Sequence, residues 1–232
     1  MQSAGNTIRV WDSVIRIGHW ALVLTFLIAY FTEDDLLSQH VWSGYVVGTV
    51  ICIRLIWGFV GSKYARFSDF VKSPVAALRY LRDLRRHKAT RYLGHNPAGG
   101  LMIVALLVCL SGTVFSGLML YAIENQAGPL AGWVADNKYS ISLPAVVSTA
   151  WADEDDDEDE HAESAGEEFW EELHEIFANL ALLLIALHVA GVAYSSYMEK
   201  ENLAKAMVTG RKRVDGVPTA GSGTNSTNQE TT

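Results

Sequence analysis

Only two cysteines occur in 232 residues, Cys52 and Cys109, and both sit inside apolar runs. They form no CxxC or CxxCH, which argues against a zinc ribbon and against a covalently attached c-type haem. They read as small buried helix residues. No internal repeat is present, and nothing resembles a nucleic-acid-binding signature. The first apolar run holds Arg16 and His19 and has no small-x-small cleavage site close behind it, so it reads as a retained helix and not as a signal peptide. Basic residues are also missing from particular places. The connection 32–39 has no Lys or Arg, and residues 124–169 have only Lys138.

What is present is strong segregation. Half the residues are hydrophobic, gathered into long runs that alternate with charged connections, which is a membrane-protein composition. The net charge of −8 comes largely from one acidic stretch, residues 153–175, so it says little about a partner for the whole chain. Four runs are long enough to cross a bilayer, at about 13–31, 37–60, 98–123 and 170–198. The expected architecture is all-α, an integral membrane four-helix bundle forming one domain over 13–213. It has a polar lead at 1–12, an acidic loop at 124–169 and a disordered polar tail at 214–232. Between the second and third runs, residues 74–87 form an amphipathic segment. Its arginines lie off the apolar face, so it reads as a helix on the headgroups or on the end of the bundle.

The basic residues set an orientation. Nine Lys or Arg lie in the second connection (63, 66, 72, 79, 82, 85, 86, 88 and 91), and five lie after the last span (200, 205, 211, 212 and 213). The positive-inside rule therefore puts both termini in the cytoplasm and the acidic loop on the outer side. With directions assigned, the intramembrane histidines sort by depth. His19, early in an outward span, lies in the inner half, and His40, early in an inward span, lies in the outer half. His174 and His188 share one face of the last span, about 21 Å apart at ~1.5 Å per residue.

The result is two level couples, His40 with His174 and His19 with His188. Two imidazoles from different helices at one depth are what axial ligation of haem iron requires. A lone intramembrane histidine has simpler readings, a helix–helix hydrogen bond or a proton-handling group. Zinc or copper would need ligands clustered at one point, and these histidines fall at two.

Arg54 lies fourteen residues after His40, on the same face and at the inner level, and Arg16 lies one turn before His19. Each can contact a haem propionate or snorkel to the headgroups. Gly44 and Gly48 follow His40 at one-turn intervals. They fit either close approach of a flat haem or helix packing. His87 and His95 in the basic connection, and His161 in the acidic loop, are expected to be solvated. The acid run reads as a solvated insert, with cation binding or a basic partner as other uses.

Several stretches together resemble the bacterial cytochrome b561 family, which includes the b-type cytochrome subunits of nickel–iron hydrogenases. They are RIGHW at 16–20, HVWSGYVVG at 40–48, RLIWGFVGS at 54–62, ARFSDF with Pro74 after it, GHNPAGGLM at 94–102, the EELHEI and HVAGV segments of the last span, and ENLAKAMVTGRKR at 201–213. The resemblance covers about 8–213. It implies two non-covalent b haems in a four-helix bundle, with His19, His40, His174 and His188 as the iron ligands. It also implies electron transfer in the bacterial inner (plasma) membrane. Electrons would pass between a quinone or quinol and a redox partner, a periplasmic c-type cytochrome or a hydrogenase-like subunit. The long acidic loop departs from what the family core requires and bears on the partner. Two other functions stay open: a haem protein acting directly as a superoxide or ferric reductase, and a metal-handling transporter using the acid run.

Overall fold

Each apolar run becomes a helix because a bilayer offers the backbone no hydrogen-bond partners except its own. A computed structural model describes residues 7–32, 36–136 and 158–214, with the backbone alone over 158–165. The elements are β1 (Thr7–Arg9), α1 (Ser13–Phe31), α2 (Leu37–Val60), a 3-10 turn (Lys63–Ala65), α3 (Phe67–Phe70), α4 (Pro74–Arg85), α5 (Pro97–Glu124), α6 (Ala131–Asp136), α7 (Glu158–Glu199), α8 (Leu203–Thr209) and β2 (Arg211–Arg213). Among the described residues, four helices are long and apolar enough to cross a membrane, with spans Ser13–Phe31, Leu37–Val60, Pro97–Glu124 and Gly166–Glu199. Their outward faces carry large apolar side chains, such as Ile17, Trp42, Ile56, Phe59 and Val108, as lipid contact demands.

The starts of these elements are chemically marked. Asp12 caps α1, its carboxylate accepting from the Ile15 N–H at 3.0 Å. Asn96 caps α5 through the Gly99 N–H at 2.7 Å, with Pro97 at the first helical position, where its missing N–H does no harm. Ser73 and Pro74 open α4 in the same way. Inside the spans, the hydroxyls of Thr25, Thr49, Ser111 and Thr113 donate back to carbonyls four residues earlier, so none is left unpaired in the apolar layer.

The helices form two hairpins, α1 on α2 and α5 on α7, joined through α2 and α5. The contacts give the directions. The Gly18 Cα faces Val50, while the Ala29 carbonyl meets His40, so α1 and α2 run antiparallel. The Cys109 thiol donates to the Phe177 carbonyl at 3.2 Å, while Thr113 meets His174, so α5 and α7 do likewise. The mid-bundle core is Val47, Ile51, Cys109, Leu110 and Ala181, with Leu22, Phe26, Val114, Phe177 and Leu184 packed around it.

The first and last described segments meet at one end of the bundle. There β1 pairs antiparallel with β2, Ile8 opposite Lys212. The Arg91 guanidinium is ion-paired with Glu201, which also accepts from the Arg213 N–H at 2.8 Å. The lead therefore becomes ordered structure from Thr7, where the sequence offers only polarity.

Two further elements differ from expectation. α7 starts at Glu158, within the acid run, and enters its apolar span at Gly166. Glutamate is a good helix former, and acidic residues favour a helix N-terminus. α4 packs on α5 and buries Ala77, Tyr80 and Leu84. It leaves Val75, Leu78 and Leu81 exposed, so its apolar residues divide between two faces. The expected disordered tail lies outside the described residues from 215 onward, as do the side chain of His161 and most of the acid run.

Candidate functional site

His40 and His174 come together across α2 and α7. Their ring centroids are 6.0 Å apart and the planes are inclined at 73°. Each ring is pinned from behind. His40 Nδ1 lies 2.9 Å from the Ala29 carbonyl, and His174 Nδ1 lies 2.9 Å from the Thr113 carbonyl and 3.2 Å from Ser116 Oγ. A carbonyl only accepts, so in both rings the proton resides on Nδ1 and Nε2 keeps its lone pair. This is the tautomer a metal-ligating histidine needs, with its other nitrogen donating to a backbone carbonyl. Two metal–imidazole bonds of about 2 Å each, plus about 1 Å from nitrogen to ring centre on either side, separate two centroids by about 6 Å. The observed spacing fits a couple gripping one iron.

The helix behind His174 is shaped for it. A Cβ on Gly117 would lie 2.8 Å from His174 Cε1 and 3.1 Å from Nδ1, so only glycine lets the ring seat there. The sequence presents Gly117 as one of several glycines thinning the third span. No local pattern separates it from the others, because its role depends on a residue 57 positions later.

The second couple is more open. His19 on α1 and His188 on α7 lie within electrostatic reach of each other, and His19 Nδ1 is buried with no partner in the chain. A Cβ on Gly191, three residues beyond His188, would meet nothing within 4 Å, and the same holds for Gly44, one turn beyond His40. Gly48 differs, since a Cβ there would come within 3.1 Å of Val114, which makes it a helix-packing glycine between α2 and α5. The mid-bundle core lies between the two couples.

Arg54 and Arg16 both lie toward the end of the bundle where β1 pairs with β2. The Arg54 guanidinium stands over the rings of Phe67 and Phe70, at 5.1 and 5.5 Å, and its Nη1 is buried without a partner. Arg16 lies against Gly210 and leaves its Nε buried and unpaired. Asp12, the nearby acid, is already committed. Beyond its cap contact it accepts from Trp57 Nε1 at 2.9 Å and from Ser62 Oγ at 2.5 Å. Burial alone would raise its carboxyl, but these hydrogen bonds outweigh it and hold the group below its ordinary value.

His95 corrects an expectation. It is not a solvated loop residue. Its ring is packed between Trp11 (centroids 4.3 Å) and Phe70 (4.9 Å), and its Nδ1 is buried and unpaired. Burial, with Arg54 and Lys212 adding like charge, pushes its pKa down to about 3, so the imidazole is neutral. The signal for it lay in the following residues. Asn96 and Pro97 are a helix start, so the residue just before them sits at the mouth of a span and faces the bundle.

A bundle of membrane-spanning helices that brings two histidines to 6.0 Å across it has the build of a membrane protein that holds a haem. A family model described as prokaryotic cytochrome b561 matches residues 10–210, and the chain belongs to that family. It is similar to a probable Ni/Fe-hydrogenase B-type cytochrome subunit of Azotobacter vinelandii, 26% identical over 165 residues that cover 56% of this chain and 67% of that protein. The corresponding subunit of Azotobacter chroococcum mcd 1 is 21% identical over 234 residues, 88% of each chain. No solved structure matches. The chain is thus a multi-pass membrane b-type cytochrome that carries electrons on haem b.

Proposed function

We propose that the chain holds two b haems, one between His40 and His174 and one between His19 and His188. It passes single electrons across the bacterial inner membrane between them. When bound, each haem supplies reversible one-electron iron chemistry. The protein does the rest. His40 and His174 present Nε2, their rings fixed by Ala29 and Thr113. Gly44 leaves room beside His40, while Arg54 and Arg16 offer unpaired donors to the propionates of the inner haem. Val47, Ile51, Leu110 and Ala181 exclude water from the layer between the two sites.

The basic residues beside the β1–β2 pair support a cytoplasmic location for that end, with the His40–His174 couple toward the outer face. One haem exchanges electrons with the quinone or quinol pool. The other meets a protein partner, a hydrogenase-like subunit or a periplasmic c-type cytochrome. The names of the two Azotobacter relatives support the first of these partners. The polar lead, the four-span domain and the tail form one functional unit, anchored by membrane lipid.

The observation that carries this reading is the 6.0 Å spacing of two imidazoles whose Nδ1 atoms are both engaged by carbonyls. The test is optical. Purified protein in lipid vesicles should show a b-type α-band worth two haems per chain, reducible by added quinol or by the partner. Replacing His188 should remove one haem and leave the other. A colourless protein would end the reading.

A further inference from the structure

The inner end of the bundle holds more buried donors than acceptors. Arg54 Nη1 and His95 Nδ1 are both buried without a partner, and both side chains lie on the same ring, Phe70, at 5.5 and 4.9 Å. Phe70 is itself fully buried and its position is fixed by two glycines. A Cβ on Gly58 would sit 2.0 Å from the Phe67 ring, and one on Gly100 would sit 2.4 Å from the Phe70 carbonyl. The segment Phe67–Phe70 is thus wedged between α2 and α5, and Arg54 and His95 both stand against it, within electrostatic reach of each other. His188 lies within electrostatic reach of His95. Of the acids at this end, Asp12 is engaged by Ile15, Trp57 and Ser62, and Glu201 by Arg91 and Arg213, while Glu199, whose Oε2 has no hydrogen-bond partner, interacts with Lys212, Arg91 and Tyr80 and not with Arg54 or His95. A buried guanidinium N–H and a buried imidazole nitrogen that find no partner are each unfavourable, and a native fold rarely leaves two side by side.

We infer that His95 and Arg54 form one carboxylate cradle, in which the neutral His95 donates Nδ1–H and Arg54 supplies the charge. The carboxylate that fills it is a propionate of the haem held by His19 and His188. The inference rests on the proposed function and adds His95 to it as a positioning residue for the cofactor's acid group. The cradle holds a proton donor and a cation but no acid of its own, so its ligand must be an anion. An anionic lipid headgroup shares that chemistry and is the other source.

The test is a spectroelectrochemical titration of the full-length protein with both haems, using His40→Ala to identify the inner haem. His95→Phe keeps the ring between Trp11 and Phe70 but removes the donor. The inner haem should then shift to lower potential, because a propionate less well neutralised favours ferric iron, and the outer haem should stay put. His95→Gln, which keeps an N–H, should recover most of the shift. It also stands in as the readable variant should the phenylalanine protein not fold, with Arg54→Gln expected to lower the inner potential in the same sense.

In protein reconstituted with haem dimethyl ester, which has no carboxylates, the His95→Phe shift should vanish. Two bound haems with an unchanged inner potential in His95→Phe would overturn the inference. So would an equal shift of both haems, or a shift that survives esterification. A wild-type inner potential that follows the anionic-lipid content of nanodiscs would assign the cradle to lipid and overturn it as well. A wild-type protein without haem would instead refute the proposed function itself, and the two failures are distinguishable by the α-band.

Discussion

Gly117→Ala adds a single methyl group in the middle of α5. On an isolated helix it would be favourable by about 1 kcal/mol, since alanine is the better helix former. Here the new carbon lands 2.8 Å from His174 Cε1. Non-bonded carbons settle near 3.5 Å or slightly beyond, so the ring must retreat by about 0.7 Å. It cannot do so freely, because Nδ1 is tied to the Thr113 carbonyl at 2.9 Å on the same helix as the intruding methyl. Metal–ligand distances tolerate about 0.2 Å, several times less than the displacement. The variant should therefore fold and insert normally yet lose the outer haem, halving the haem-to-chain ratio in a pyridine haemochrome assay. Gly166→Ala, where a Cβ meets nothing within 4 Å, is the control and should keep both. A Gly117→Ala protein with two haems and an unaltered spectrum would refute the argument that the His174 ring is fixed against α5.

Three other outcomes follow from the end of the bundle where β1 pairs with β2. Asp12→Ala removes a helix cap and strands the Trp57 indole N–H, at a cost of roughly 2–4 kcal/mol, readable as a lower unfolding midpoint in detergent. Because folding depresses the Asp12 carboxyl below its unfolded value of 3.8, its contribution is complete above that pH and is lost as pH falls through the lower folded value. The wild type should thus destabilise faster than Asp12→Ala on acidification below about pH 4. Glu201→Gln breaks the buried ion pair with Arg91, at a cost of about 3 kcal/mol. An unchanged midpoint would mean the pair contributes little to holding the C-terminal strand.

The spans and the meeting of His40 with His174 were legible because both rest on period and direction. Long apolar runs become helices, short connections reverse them, and fourteen residues return a side chain to the same face. What escaped the sequence depends on contacts between distant residues. Gly117 is indistinguishable from Gly112 until α7 lies across it. His95 looks solvated while its connection is read as a loop, and becomes buried only once Trp11 and Phe70 close on it. The pairing of Thr7–Arg9 with Arg211–Arg213 leaves no trace in two short basic stretches so far apart. The spacing of Gly48 fitted either close haem approach or helix packing, and a Cβ there would come within 3.1 Å of Val114, so it packs against α5.

The most direct test of the account is haem stoichiometry in paired double variants. If His40 shares an iron with His174, and His19 with His188, then His40→Ala/His174→Ala should retain one haem per chain, as should His19→Ala/His188→Ala. The crossed doubles, His19→Ala/His40→Ala and His174→Ala/His188→Ala, should retain none. Crossed doubles that keep a haem, or matched doubles that lose both, would contradict the pairing on which the whole account is built.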